Sequence, residues 1–170
     1  MAESAALSFP VRLLYSQRGS FRGGKIAGAH SHPFWQMEIF ESGRTRVRAG
    51  GRTHEVGGGH IALFPPHVVH VSEYLEDGTR TTSLKFELDA PVRAAVRWRG
   101  PSATGAHIVR ALTGLLPPSM HKSAPNRHIV DGLLSALVAF LFTEGDPAVD
   151  SLRHRPVAER ARSEERRVGK

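Results

Sequence analysis

The chain contains no cysteine, which excludes disulfide frameworks and thiolate metal sites. It also lacks a long hydrophobic run, and the longest one, residues 133–142, is too short to cross a membrane. The N-terminus has neither a basic region nor an apolar core, so no signal peptide is expected. These absences agree with a protein of the reducing cytoplasm, which is the location that the sequence predicts.

The charge gives only a weak constraint on function. The formal net charge is +7 over 170 residues, which permits contact with nucleic acid without requiring it. The basic residues are spread along the chain instead of forming one stripe. The last nine residues carry four basic and two acidic groups, and leaving them out lowers the net charge to +5. The charge alone therefore gives no argument for DNA binding.

The first ninety residues contain short runs in which polar and apolar residues alternate, separated by glycine turns. Such runs are typical of β-strands. We predict strands at residues 11–15, 30–40, 44–49, 52–56, 60–64, 67–74 and 79–88. Gly50-Gly51 predicts a hairpin, and Gly19 is expected to lie beyond the end of the first strand. Six or so strands of this kind predict an antiparallel barrel or sandwich over residues 11–90.

Helical patterns replace the short strands over residues 91–144. One helix is predicted to begin after a Ser102 cap and to end near residue 116. Asn126 is expected to cap a second helix that runs to about residue 143. That second helix is apolar around most of its circumference, so it must bury more than one face.

We interpret the second helix, residues 127–143, as a homodimerisation helix. One of its faces would pack on the barrel or on the preceding helix, and the other would pack on a partner chain. The alternative is that both faces are buried within a single chain.

The two ends of the chain are predicted to lie outside the folded core. Residues 1–10 are expected to form an arm, which is loose unless something pins it. Residues 145–161 are interpreted as a linker and the start of a further domain. Residues 162–170 resemble the translation of a common sequencing adapter, so we hypothesise that they are not native and that a C-terminal domain is missing. An ordinary charged tail is the alternative.

The histidines point to a functional site because they fall into two motifs with regular spacing. The motifs are Gly24-x5-His30-x-His32-x3-Gln36-x6-Gly43 and Gly59-x5-Pro65-x4-His70. Residues two apart share one face of a strand, so His30 and His32 should lie together with Gln36, Glu38 and Phe40. His70 would join them from a strand distant in sequence, whereas His54, His60 and His67 are expected on the surface or in turns.

The two motifs resemble the paired signature of the cupin superfamily, G-x5-H-x-H-x3,4-E-x6-G followed by G-x5-P-x-G-x2-H-x3-N. Pro65-Pro66-x-Val-Val-His70, with Trp35-Gln36 after the histidine pair, resembles the ligand-binding domain of AraC-type transcription regulators. Three positions depart from the signature: Gln36 replaces its glutamate, His67 a glycine and Tyr74 an asparagine. The resemblance implies a mainly β protein, an antiparallel double-stranded β-helix (cupin jelly-roll barrel) followed by two or so C-terminal α-helices.

Two kinds of site fit these residues. Metal-using cupins bind a metal at the motif positions, and neutral imidazoles suit divalent transition metals. The neutral Gln36 removes the one anionic ligand, so the sequence favours a polar pocket without a cofactor. The predicted ligand-binding residues are His30, His32, Gln36, Phe40, Phe64 and His70. The alternative metal site would consist of His30, His32, Gln36 and His70.

The resemblance implies the effector-sensing and dimerisation domain of an AraC-type transcriptional regulator, which is not an enzyme. The effector is expected to be a small polar molecule such as a sugar or an aromatic acid. In such regulators DNA is bound by two helix-turn-helix units that follow the linker, so this chain would bind DNA only through the missing domain. In the resembling regulators a similar arm can fold over bound ligand, so a lid role for Leu7 and Phe9 is the alternative to a disordered terminus, which is the favoured interpretation. The alternative is a stand-alone metal-dependent cupin enzyme, a dioxygenase or an isomerase.

Overall fold

The computed structural model describes residues 9–89, 92, 95–117, 119–121 and 126–143. The predicted linker and the proposed non-native tail lie outside these residues, as does the arm before Phe9. Ten strands and two helices occur in the described part of the chain. They are β1 (Val11–Phe21), β2 (Ile26–His30), β3 (Trp35–Ser42), β4 (Arg44–Ala49), β5 (Arg52–Gly57), β6 (Ile61–Phe64), β7 (His70–Tyr74), β8 (Thr79–Leu88), β9 (Arg97–Arg99), α1 (Ala103–Leu115), β10 (Ser119–His121) and α2 (Arg127–Thr143).

The strands form two antiparallel sheets. The first has six strands in the order β10-β1-β8-β3-β6-β9, and the second has four in the order β2-β7-β4-β5. The chain passes repeatedly from one sheet to the other, which is the arrangement of a jelly roll. The predicted fold class, a mainly β cupin barrel followed by two helices, is confirmed.

β1 is longer than predicted, because Gly19 lies within the strand and not beyond its end. Gly19 pairs with Thr81 of β8, and the strand continues to Phe21. A Cβ atom on Gly19 would lie 2.4 Å from the ring of Phe21. That ring stacks on Tyr74 with centroids 4.0 Å apart. Glycine is thus needed here for close packing and does not break the strand.

The predicted strand over residues 30–40 is two strands, since β2 ends at His30 and β3 begins at Trp35. Pro33 lies in the break, where its missing N–H and fixed φ disfavour continued pairing. The chain changes sheets at this point. Alternation holds from residue 35 onward: Trp35, Met37 and Ile39 lie in the hydrophobic cluster under the helices, whereas Phe40 lies in the cluster between the sheets.

The helices cover the outer face of the six-stranded sheet. Ser102 caps α1 as predicted, and its Oγ accepts a hydrogen bond from Gly105 N at 3.0 Å. Most apolar residues of α2 are buried within this one chain, and they are Val130, Leu134, Leu137, Val138, Phe140 and Leu141. Ile129 is the large apolar side chain that stays exposed on α2, at 44%. Neither helix in the described residues is long and apolar enough to cross a membrane.

α2 is fastened to the start of β1 by polar contacts as well as apolar ones. A β-bulge interrupts the β1–β8 register between Leu13 and Tyr15. Leu13 N donates to Asp131 Oδ1 at 2.8 Å, and Arg127 Nη2 donates to Leu13 O at 2.5 Å. Helix side chains therefore satisfy backbone groups at an irregular point of the strand.

Phe9 also packs on the helix side of the barrel. Its ring stacks on Phe142 with centroids 5.3 Å apart, and its carbonyl accepts a hydrogen bond from Ser135 Oγ. Phe9 is 3% exposed in the cluster under the helices. The alternative lid role of Phe9 over the barrel interior is therefore wrong, and Leu7 lies outside the described residues.

Candidate functional site

Three histidines meet at one end of the space between the sheets. His30, the last residue of β2, pairs directly with His70, the first residue of β7, and His32 follows in the crossing to β3. The ring centroids are 4.3 Å apart for His30 and His70, 5.2 Å for His32 and His70, and 6.1 Å for His30 and His32. One ring nitrogen from each histidine lies within 4.8 Å of those of the other two. We call these three residues the histidine triad.

Each imidazole of the triad is oriented by a backbone carbonyl two residues away in sequence. The Nδ1 contacts are His30 to Gly28 O at 2.8 Å, His32 to Phe34 O at 2.8 Å, and His70 to Val68 O at 3.0 Å. A carbonyl oxygen only accepts, so each Nδ1 must carry the proton. In the neutral ring Nε2 then keeps its lone pair, which makes it the atom available to a donor or a metal.

His70 is the most deeply buried member of the triad, at 1% exposed. Its ring lies parallel to that of Phe64 with centroids 4.4 Å apart. Burial lowers the pKa of His70 to about 4, and the nearby charges of His30, His32 and Lys85 act in the same direction. His70 is therefore neutral near pH 7, and its buried Nε2 has no hydrogen-bond partner among the described residues.

Gln36 and Glu38 extend the polar face from the triad into the barrel. His32 Nε2 lies 2.7 Å from Gln36 Oε1, and Gln36 Nε2 donates to Glu38 Oε2 at 3.1 Å. Because His32 Nδ1 already donates, the first contact requires either a doubly protonated His32 or the opposite orientation of the Gln36 amide. With the opposite orientation Glu38 would have to donate, which agrees with the direction of its pKa: burial raises it above the usual range.

The structure brings five of the six predicted ligand-binding residues together at this end of the barrel. His30, His32, Gln36 and His70 are linked by the ring and hydrogen-bond contacts above, and Phe64 stacks on His70. Phe40 lies four residues further along β3 than Gln36, roughly 13 Å at the usual rise per residue. It is part of the apolar cluster between the sheets, with Phe64 and Trp98, so it would contribute to the floor of a pocket.

Sequence reasoning missed Lys85, a polar residue on the same face of the six-stranded sheet as Gln36. Its position pairs with Gln36 on one side and Tyr15 on the other, so all three side chains project toward the interior. Period two in strand 79–88 separates Lys85 from Leu84 and Phe86, but one sequence does not tell which face is inside.

His54, His60 and His67 lie outside the triad. His54 is buried, at 6% exposed, and its ring stacks on Trp98 with centroids 4.1 Å apart, so the expected surface position is wrong. His60 lies in the β5–β6 turn, where Nδ1 is 3.0 Å from Gly57 O. His67 is exposed in a turn with a φ of 64°, a conformation that glycine adopts more easily. Glycine stands at that position in the cupin signature.

The histidine triad fits a divalent transition metal by its donor set. Three neutral imidazoles with oriented Nε2 atoms and hydrogen-bonded Nδ1 atoms are the usual arrangement of histidine ligands. No carboxylate joins the triad within the described residues. Gln36 Oε1 faces His32, which leaves the set at three protein ligands. A metal bound there would act as a Lewis acid toward an oxygen of the ligand.

The comparisons with known proteins decide the family. The family of AraC-like ligand binding domains matches residues 15–153 of this chain. The chain is an AraC-type ligand-binding domain. Membership implies that this AraC-type domain binds a small-molecule effector. No curated protein matches the chain by sequence.

Solved structures resemble this AraC-type domain at low sequence identity. ToxT of Vibrio cholerae, an AraC-type regulator, is 8% identical with a TM-score of 0.50, and the match covers 79% of this chain and 56% of ToxT. KdgF from Halomonas sp. is 17% identical with a TM-score of 0.42, over 54% of this chain and 87% of KdgF. An RmlC-like cupin from Shewanella frigidimarina is 18% identical with a TM-score of 0.40, over 49% of this chain and 80% of that cupin. At these identities the likeness concerns the fold alone.

Proposed function

We propose that this domain senses a small polar effector at the histidine triad and is the non-enzymatic, dimerising part of a cytoplasmic AraC-type transcriptional regulator. The observation that carries the proposal is the convergence of His30, His32, His70 and Gln36 at one end of the barrel of a chain from this family, with His70 and Gln36 buried and His30 exposed. Operator DNA would be bound by a domain that follows the linker, and not by the barrel.

The triad suits a ligand with hydroxyl or other donor groups. The buried His70 Nε2 is an acceptor that lacks a partner in the described residues, and leaving such a group unsatisfied costs roughly 1–3 kcal/mol. A ligand hydroxyl would satisfy it and gain affinity from doing so. Phe64 stacks on the His70 ring and makes the surroundings of that acceptor apolar, which suits a ligand that combines polar groups with an apolar face. Sugars and aromatic acids are therefore the proposed effector classes.

Dimerisation through α2 rests on a smaller surface than its sequence suggested. The apolar residues that argued for a partner chain are largely buried against β1, α1 and Trp35. Ile129 of α2 and Leu115 of α1 remain exposed, at 44% and 38%. We place the dimer contact on this outward side of the helices. Sedimentation of Ile129→Glu beside the wild type tests it, because a charge in an apolar interface should give monomers.

A second candidate function, a metal-dependent cupin enzyme, is favoured by one specific observation. All three triad histidines use Nδ1 to bond a backbone carbonyl, which leaves Nε2 of His30 and His70 for a ligand, while His32 Nε2 contacts Gln36. In this function His30, His32 and His70 would hold the metal, while the protein would orient a substrate against Phe64 and exclude water from the barrel.

A binding and metal analysis of the purified chain tests both functions. Thermal unfolding is followed with sugars and aromatic acids at millimolar concentration, since a ligand of the folded state raises the midpoint. Wild type is compared with His32→Ala and with His60→Ala, a turn histidine outside the triad. Stabilisation that His32→Ala alone abolishes supports effector sensing. Stoichiometric transition metal together with turnover supports the enzyme, and no stabilisation by any compound contradicts the effector site.

A further inference from the structure

We propose that the effector carries a carboxylate, and that Lys85 is the residue that binds it. This inference rests on the proposed function of the barrel as the effector site and adds the charge of the ligand to it. It concerns a side chain outside the two histidine motifs.

The position of Lys85 directs its ammonium group to the inner face of the six-stranded sheet. Lys85 of β8 pairs with Gln36 of β3 and with Tyr15 of β1. Residues directly opposite in antiparallel strands project to the same face, and the Gln36 side chain already contacts the triad. The Nζ atom of Lys85 lies 4.9 Å from the centroid of the Tyr15 ring. The aliphatic part of Lys85 thus lines the interior with its charge beside an aromatic ring.

Lys85 is close enough to the triad for its charge to act there. That charge contributes to the lowered pKa of His70, and it opposes the rise in the pKa of Glu38. The geometric link is Gln36, which pairs with Lys85 and contacts His32, so we expect a ligand on the histidines to approach the ammonium group.

None of the ion pairs between described residues neutralises Lys85. The glutamates on the barrel exterior are paired with arginines there: Glu41 with Arg18, Glu55 and Glu73 with Arg46, Glu76 with Arg44, and Glu87 with Arg12. Glu38, the acid inside, forms no ion pair with Lys85 in the described structure, and it accepts a hydrogen bond from Gln36. A partly buried cation without a carboxylate partner favours an anionic ligand.

The charge of Lys85 predicts how much a ligand carboxylate contributes to the binding affinity. A hydrogen bond between charged groups is stronger than one between neutral groups. Replacing a ligand carboxylate with a neutral group should therefore weaken binding by about tenfold to a hundredfold. An aromatic acid or a sugar acid would place its carboxylate on Lys85 and its ring or hydroxyl groups beside the His70 acceptor.

Matched ligand pairs and matched lysine variants test the inference on the full chain. The probes are benzoate against benzamide and glucuronate against glucose, titrated by calorimetry. The proteins are wild type, Lys85→Met, Lys85→Arg and Lys25→Met. Lys25 is the control because its Nζ also lies over an aromatic ring, 4.8 Å from the Phe21 centroid. Unlike Lys85, Lys25 is exposed, in the turn between β1 and β2. We expect wild type and Lys25→Met to bind the acid of a pair more tightly, Lys85→Arg to keep the preference and Lys85→Met to lose it.

A second measurement keeps the test independent of whether Lys85→Met folds. The sequence has four lysines, so 13C-dimethylation, which keeps the charge, gives a simple lysine spectrum. The Lys85 signal, assigned by its loss in Lys85→Arg, should shift with benzoate or glucuronate but not with the neutral probes. Equal affinity within each pair, or an acid preference that survives in Lys85→Met, overturns the inference while leaving the effector site standing. No binding of any probe at millimolar concentration overturns both.

Discussion

The rings of Phe64 and His70 lie parallel, with centroids 4.4 Å apart and planes 4° apart, although their strands belong to different sheets. This contact joins the inner faces of the two sheets at the proposed effector site. It buries the imidazole while its Nδ1 is held by Val68 O. The same packing that closes the barrel therefore fixes a neutral acceptor nitrogen at the site.

His70 should make the domain sensitive to acid. Its pKa is about 4 in the folded chain, against 6.5 ordinarily, so between these values the unfolded chain binds more protons. Stability contributed by neutral His70 is therefore present above pH 6.5 and is lost as the pH falls toward 4. Urea unfolding of wild type in the presence of a chelator should show a loss on the order of 1–3 kcal/mol from this group.

The matched variant for this prediction is His70→Asn, which does not titrate and whose Nδ2 takes the place of the imidazole Nδ1, so that it can still donate to Val68 O. Its free energy of unfolding should fall less between pH 7 and pH 4.5 than that of wild type. Equal losses in the two proteins would show that His70 is not the group responsible.

Gly43, in the turn between β3 and β4, should be more sensitive to substitution than Gly78, in the turn before β8. It has a φ of 77°, and an added Cβ would lie 2.4 Å from Thr79 Oγ1 and 2.8 Å from Thr79 Cα. Gly43→Ala combines a strained backbone with this clash, and we expect it to destabilise the domain by about 2–4 kcal/mol. Gly78→Ala is the control, because Gly78 has a φ of 72° but open space around it. If chemical unfolding shows that Gly78→Ala lowers the free energy of unfolding more than Gly43→Ala does, the clash with Thr79 is not the cause of the sensitivity.

Asp131 should stabilise the domain through the β1 bulge. Its Oδ1 accepts from Leu13 N at 2.8 Å in a partly buried position. Asp131→Ala leaves that N–H without its acceptor, which should lower the free energy of unfolding by roughly 1–3 kcal/mol. Glu87→Ala serves for comparison, since the Arg12–Glu87 ion pair is exposed and such pairs contribute about 0–1 kcal/mol. Similar losses for the two variants would argue against the bulge contact.

Gln36→Glu should increase the affinity of the triad for divalent metal. The variant places the carboxylate of the cupin signature beside His32, where Gln36 Oε1 now lies 2.7 Å from Nε2. An anionic ligand added to three imidazoles should tighten Co2+ binding at least about tenfold, measured by competition with a coloured chelator. Gln17→Glu, an exposed change on β1, should have no effect. Unchanged Co2+ affinity in Gln36→Glu would mean that the triad does not present its Nε2 atoms as described.

The sequence predicted the barrel well because its signals are local. Alternation placed Trp35 and Met37 opposite Gln36 and Glu38, and Ser102 marked the start of α1. The length of β1 was missed because Gly19 is explained only by the ring of Phe21, which packs on it. What covers the faces of α2 was left open, since periodicity shows that a face is apolar but not what packs on it.

The site was predicted in part. The spacing of the two motifs was enough to bring His30, His32 and His70 together, as their ring contacts show. Lys85 was missed because which face of β8 is inside depends on pairing with Gln36 and Tyr15, residues some 50 to 70 positions away. The sequence of one strand does not specify how that strand pairs with strands distant in the chain.

Imidazole NMR spectra of the histidine-labelled chain decide whether a small molecule binds at the histidine triad. Addition of benzoate or glucuronate should shift the signals of His30, His32 and His70 together and saturably, while those of His60 and His67 stay in place. Saturable binding that moves only His60 or His67, or that leaves all three triad signals unchanged, would contradict the account.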